Sequence, residues 1–221
     1  DGNAGHGIDG LVDATAQDGV LNIDLANSSV SGNTGDGINL DLSGANSLTQ
    51  VDIAGTPITG NGDDGLEFSV ANTATLFVNA VDGGTDFSDN GAGTGDGSAF
   101  DGFVLGPGAI AVVTIDGANA DRSAGNGAQF VVDMGGVLSF NYSNGSISDS
   151  GGTGVASTIA GGSVAFYNIS DTSLNNNAGM VGGLGDGFQV IADEGSSVVA
   201  SFNEVSADFN ERNGFLFIAN D

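Results

Sequence analysis

The sequence predicts an all-β fold, a single-domain right-handed parallel β-helix (solenoid) of about eight coils with two loop insertions. Three observations carry this prediction: a turn motif that recurs along the chain, alternating apolar residues after each copy, and a composition rich in turn formers. The chain has 221 residues, of which 40 are glycine, and its acidic residues are mostly aspartate. Asp, Asn, Gly and Ser favour turns over helices, so the composition indicates many short strands.

The recurring motif is a polar residue, three further residues, a glycine and an apolar residue. Its copies are residues 3–8, 33–38, 61–66, 98–103, 123–128, 150–155, 183–188 and 210–215. The interval between successive motif glycines ranges from 25 residues (Gly102 to Gly127) to 37 residues (Gly65 to Gly102). A loose period of this length is typical of a solenoid.

Apolar residues alternate after each motif, as in Ile38, Leu40 and Leu42. This period of two predicts a strand with one buried face. A turn, a second apolar stretch and a single apolar residue complete each repeat. One repeat cannot bury its own apolar face, so we expect the repeats to stack and form a continuous core. Extra residues near 90–98 and 177–185 are expected to leave the stack as loops.

The segment Asn33-Thr34-Gly35-Asp36-Gly37-Ile38, followed by an alternating strand, resembles the repeats of the pectin-lyase-like superfamily. The resemblance covers nearly the whole chain and is nearest to the non-catalytic surface-protein type in bacteria. It implies a secreted or cell-surface protein, but the fold hosts many activities and leaves the function open. It also implies an internal ladder of stacked polar side chains at Asn3, Asn33, Asn61, Ser98, Ser123, Ser150, Gly183 and Asn210.

The charge balance is extreme: 28 acidic residues against 2 basic ones give a net charge of −26. Phosphate binding requires Lys and Arg, so we expect no nucleic acid partner. Anionic lipid is disfavoured for the same reason, and no apolar stretch approaches the ~18 residues needed for membrane insertion. Cysteine is absent, which excludes disulfides and thiolate chemistry.

Three groups of carboxylates are candidate Ca²⁺ ligands, because Ca²⁺ prefers oxygen donors. Asp36, Asp64 and Asp101 precede the motif glycine in three successive repeats, and stacking would bring them to one corner. The other two groups are Asp82, Asp86, Asp89 and Asp96, and Asp63, Asp64 and Glu67. None has the spacing of a known calcium loop, and solvated acidic turns are the alternative interpretation.

An enzyme is not expected, and no residue is predicted to be catalytic or to bind an organic cofactor. Gly5-His6-Gly7 and Gly62-Asp63-Asp64 resemble two motifs of polygalacturonases. In this chain the histidine motif comes first, which is the reverse of the order in that family. The two motifs would lie two coils apart, about 10 Å in total along the axis, and the Arg-x-Lys motif of the family is absent. Exposed aromatic residues that bind sugars are not expected either. The phenylalanines are predicted mostly to face inward, among them Phe68, Phe103, Phe130, Phe140, Phe188 and Phe217.

The sequence begins in a turn motif and stops within a strand pattern at residues 215–219. We therefore expect residues 1–221 to be a segment of a longer chain or polymer, associating end to end or with neighbouring domains. The predicted function is an extracellular structural or adhesive module, part of a stiff acidic stalk, fibre or surface layer stabilised by calcium. The alternative is a polysaccharide-degrading or glycan-binding β-helix protein that uses Asp residues on extracellular glycans.

Overall fold

A computed structural model describes residues 1–15, 17–81, 83–93, 97–178, 185–193 and 195–220. These residues contain strands and turns but no α-helix, so no described helix is available to cross a membrane. The strands are β1 (Ile8–Val12), β2 (Val20–Ala26), β3 (Ile38–Leu42), β4 (Leu48–Ala54), β5 (Leu66–Ala71), β6 (Thr75–Ala80), β7 (Phe100–Leu105), β8 (Ile110–Asp116), β9 (Ala128–Asp133), β10 (Val137–Ser143), β11 (Val155–Ile159), β12 (Val164–Ser170), β13 (Phe188–Ala192), β14 (Ser197–Asn203) and β15 (Phe215–Ala219).

The strands form two parallel sheets. Sheet 1 contains the eight odd-numbered strands, and sheet 2 contains the seven even-numbered strands. Coil 1 begins with β1, coil 2 with β3, and so on. Each of the first seven coils contributes one strand to each sheet, and coil 8 contributes β15 to sheet 1. A third column of isolated parallel bridges joins Pro57, Asp86, Asn119, Ser146, Ser173 and Ser206. This architecture confirms the predicted all-β parallel β-helix.

The core lies between the sheets and is built from alternate strand residues. Ile38, Leu40 and Leu42 of β3 are fully buried, and the same alternation repeats along the stack. Four of the phenylalanines predicted to face inward are buried, namely Phe68, Phe130, Phe140 and Phe188. The strands of adjacent coils pair with one another and satisfy the backbone hydrogen bonds, so apolar side chains can fill the space between the sheets.

A ladder of asparagines runs inside one corner. Asn33 Nδ2 donates to Asn61 Oδ1 at 2.8 Å, and Asn61 Nδ2 donates to Asn90 Oδ1 at 3.0 Å. The residue before each ladder position has a positive φ, which turns the chain sharply; these residues are Gly2, Gly32, Gly60, Asp89, Arg122, Asp149, Asn176 and Phe209. Stacked amides therefore cap a tight turn in successive coils.

Two predicted ladder positions are wrong. Asn90 occupies the ladder in coil 4 where Ser98 was expected, and Asn177 occupies it in coil 7 where Gly183 was expected. Gly183 lies outside the described residues. Both errors have one cause: the extra residues follow the ladder asparagine, whereas the motif alignment had placed them before it.

The same register error affects the strand of coil 4. Phe100 pairs with Leu66, and Ala99 takes the position that glycine holds in neighbouring coils. Gly102 therefore lies inside the strand, between the inward-facing Phe68 and Phe130, and Phe103 faces outward, contrary to our prediction. A Cβ at Gly102 would lie 2.3 Å from Phe68 Cζ, so this glycine makes room for two aromatic rings.

Candidate functional site

One corner of sheet 1 carries a concentration of carboxylates, which we call the acidic patch: Asp36, Asp63, Asp64, Glu67 and Asp101. Asp36 and Asp64 lie in the turns before β3 and β5. Glu67 and Asp101 face outward from β5 and β7 and are register partners. One carboxylate oxygen from each of Asp36, Asp63 and Asp64 lies within 4.8 Å of the others. The patch thus spans coils 2, 3 and 4.

Backbone hydrogen bonds fix the two buried carboxylates of the patch. The Asp64 N–H donates to Asp36 Oδ1 at 3.0 Å, and the Ser98 N–H donates to Asp64 Oδ1 at 2.5 Å. Asp36 and Asp64 are only 1% and 7% exposed. Each carboxylate therefore caps the turn of the next coil with one oxygen. Ser98 stands in the column of Asp36 and Asp64, where we had expected Asp101.

Burial and mutual repulsion raise the pKa values of three patch residues. Burial is the main cause in each case and raises the pKa of Asp64 to about 8, that of Glu67 to about 7 and that of Asp101 to about 6. The neighbouring Asp36 side chain raises the pKa of Glu67 further. Negative neighbours add to each shift. The patch therefore favours proton uptake or a bound cation.

The donor set of the patch suits a hard divalent cation. All five side chains offer carboxylate oxygens, and Asp101 Oδ1 is buried without a hydrogen-bond partner among the described residues. Ca²⁺ accepts six to eight oxygen ligands in flexible geometries, and additional ligands can come from water and backbone carbonyls. Such an ion would neutralise several carboxylates at once.

His6 lies beside the patch, because it occupies the position before the motif glycine of coil 1 that Asp36 occupies in coil 2. Its Nδ1 is 2.9 Å from Asp36 Oδ2 and accepts a hydrogen bond from the Asp36 N–H at 3.2 Å. Strand pairing places His6 and Asp63 two coils apart, as expected from their motifs. Asp36 in the intervening coil nevertheless connects the histidine to the carboxylates.

Of the remaining predicted ligands, the two that the structure describes, Asp86 and Asp89, have partners outside the patch. Asp82 and Asp96 lie outside the described residues. Asp86 Oδ1 accepts the Ser88 N–H at 3.1 Å. Asp89 forms a bidentate pair with Arg122, whose Nε and NH2 nitrogens donate at 2.7 and 2.8 Å. Within the described part of the chain, the acids brought together as a possible metal site are Asp36, Asp63 and Asp64.

The geometry defines this chain as a parallel β-solenoid with an acidic patch on one corner. A scan against models of protein families gave no match, and searches of curated proteins and of solved structures gave none either. Its function must therefore be inferred from the patch and the surfaces of the solenoid.

Proposed function

We propose that this chain is an extracellular structural or adhesive module, part of a stiff acidic stalk, fibre or surface layer. In this proposal it belongs to the non-catalytic surface-protein type of the pectin-lyase-like superfamily. The acidic patch binds Ca²⁺ and stabilises the stack. The observation that carries the proposal is the gathering of five carboxylates from three coils, two of them almost fully buried.

The physical reason is electrostatic. Two unit charges 4 Å apart repel by about 4 kcal/mol at an effective dielectric constant of ~20. Oxygens of Asp36, Asp63 and Asp64 lie within 4.8 Å of one another, so ionising all three is costly without a cation. A divalent cation replaces this repulsion with attraction and connects coils 2, 3 and 4. An ion that binds only the folded state at a hundred times its Kd adds about 2.7 kcal/mol to the free energy of unfolding.

A mechanical role follows from the parallel ladder. Coils 1 to 7 pair with one another through both sheets, so a pull along the axis is resisted by many backbone hydrogen bonds at once. Further coils, from neighbouring domains or from another copy, can extend the same register, and this supports end-to-end association. The net charge of −26 keeps such a rod soluble and repels lateral contacts.

Electron microscopy and thermal unfolding, each with Ca²⁺ and with EDTA, test this function. We expect rods or filaments in Ca²⁺ that shorten or dissolve in EDTA, and a lower unfolding temperature in EDTA. Short particles of unchanged length and stability in both conditions would exclude a calcium-stabilised structural module.

A second candidate function is a polysaccharide-degrading or glycan-binding protein. Glu67 and Asp101 favour it, because they face outward on adjacent strands and have pKa values of about 7 and 6. A carboxyl group protonated near neutral pH can serve as a general acid in glycoside hydrolysis. Turnover of a polysaccharide that Glu67→Gln abolishes would support this candidate, and a panel of neutral and acidic glycans without product or binding would eliminate it.

A further inference from the structure

The outer face of sheet 2 carries an apolar stripe, away from the acidic patch. Val199, Phe166 and Phe77 are 54%, 43% and 41% exposed and face outward in one column of register partners. Val112 and the polar Ser139 lie between Phe77 and Phe166 in this column, and Val137 and Val164 of the adjacent outward column continue the apolar surface past Ser139. The stripe consists of Leu48, Phe77, Ile110, Val112, Val137, Val164, Phe166 and Val199. A contiguous apolar surface of this kind marks an interaction site more often than scattered apolar residues do.

A groove of about 420 Å³ opens at one end of the stripe, across β4, β6 and β8. Its apolar wall includes Phe77 and Val112, and Thr114 lies beside them. The polar end holds Asp52, whose carboxylate accepts the Gln50 Nε2–H at 2.6 Å and the Asn79 Nδ2–H at 3.4 Å. Both donors are neutral, and no Lys or Arg among the described residues lines the groove, so the Asp52 charge has no cationic partner within that part of the chain.

Charge decides which occupant fits this face. A second copy would bring another net charge of −26 against the first, and an anionic lipid surface would be repelled in the same way. A basic polypeptide would instead be attracted over long range and guided to the surface. The stripe then selects among basic partners, because only an amphipathic segment can also cover its apolar residues.

We propose that the stripe and groove bind a basic amphipathic polypeptide segment. One Lys or Arg of the partner enters the groove, its aliphatic stem packs on Phe77 and Val112, and its charged head reaches the Asp52 carboxylate. The ring face of Phe77 adds a cation–π contact. Apolar residues of the partner then follow the stripe toward Phe166 and Val199. This interaction does not depend on the acidic patch or on calcium.

Binding of a synthetic amphipathic Leu/Lys peptide to the intact chain tests the proposal, with a Ser/Lys peptide of equal charge as the comparison. We expect the Leu/Lys peptide to bind more tightly. Phe166→Glu and Val199→Glu should each weaken that binding about tenfold, as loss of a central contact does, although both make the protein more acidic. Asp52→Asn should weaken it less and reduce its salt dependence.

The matched control is Thr158→Glu, which adds the same charge at an exposed outward position of sheet 1. It should leave peptide affinity unchanged, and circular dichroism and thermal melting verify that each variant folds. Equal affinity for both peptides, or unchanged or tighter binding by Phe166→Glu, would mean attraction by net charge alone and overturn the proposal. Wild-type dimers that Phe166→Glu dissociates would overturn it in favour of a second copy as occupant.

Discussion

The backbone N–H of Asp64 donates to the carboxylate of Asp36, one coil away, at 3.0 Å. This bond stabilises an acidic side chain at a position where neighbouring carboxylates repel it. The carboxylate of one coil caps the turn of the next, and Asp64 does the same for Ser98. The caps explain the aspartates individually and use one oxygen of each group. The second oxygen of Asp36 lies 2.9 Å from His6 Nδ1, and the cap leaves the second oxygen of Asp64 for a proton or a cation.

Asp64→Asn should weaken Ca²⁺ binding about tenfold or more, because affinity depends on the number of charged ligands. The amide oxygen of the variant can still accept the Ser98 N–H, so the fold should be kept. Isothermal titration calorimetry measures the affinity. Asp171→Asn, at an exposed turn outside the patch, is the control and should bind as the wild type does. Equal affinities in the two variants would place the ion elsewhere.

The free energy of unfolding should fall as the pH rises, whereas carboxylates that are paired with cations usually lose stability as the pH falls. The pKa values of Asp64, Glu67 and Asp101 are raised, so in EDTA the folded state binds more protons than the unfolded state between about pH 4 and 8. Their contribution to stability is therefore greatest at low pH and is lost as the pH rises toward 8.

A triple variant with Asp64→Asn, Glu67→Gln and Asp101→Asn isolates this effect. In EDTA, the free energy of unfolding of the variant relative to the wild type should increase from pH 4 to pH 8, as measured by urea titration. Saturating Ca²⁺ should abolish the trend by stabilising the ionised wild type. A difference that stays constant with pH would refute the raised pKa values.

Asn61→Ala should lower the free energy of unfolding by about 2–4 kcal/mol, because it leaves several buried partners unpaired. Asn61 donates to Asn90 Oδ1 and the Val30 carbonyl and accepts from Asn33. Ser123→Ala is a matched test at a ladder position, because the Ser123 hydroxyl is buried without a partner among the described residues. That variant should change stability by less than about 0.5 kcal/mol. Similar losses in both would contradict an energetic role for the amide ladder.

Gly102→Ala should destabilise the chain by about 1–3 kcal/mol, the usual range for overpacking a core. The new methyl group would overlap the Phe68 ring and approach Phe130. Adding Phe68→Leu to this variant should recover part of the loss, which urea unfolding can measure. An additive loss in the double variant would show that the two positions do not share space.

Local patterns alone determined the architecture of this protein. The alternation of apolar residues in segments such as 38–42 indicates which side chains face inward, and the repeated glycine turns indicate where the chain changes direction. A single coil cannot bury its apolar face, so a solenoid follows from these patterns without knowledge of any long-range contact. The sequence alone also indicated that Asp36, Asp63 and Asp64 are candidate metal ligands.

Only the tertiary structure decided how the coils align across the insertion after Asn90. Gly102-Phe103 and Ala99-Phe100 both satisfy the local pattern, and the choice depends on pairing with Leu66 in the neighbouring coil. That pairing puts Asp101 beside Glu67 and makes Phe103 face outward. The groove at Phe77 also depends on the alignment of coils 3 and 4, because β6 and β8 both line it. An insertion changes the register between coils without changing the pattern within them, so the sequence by itself could not specify these neighbours.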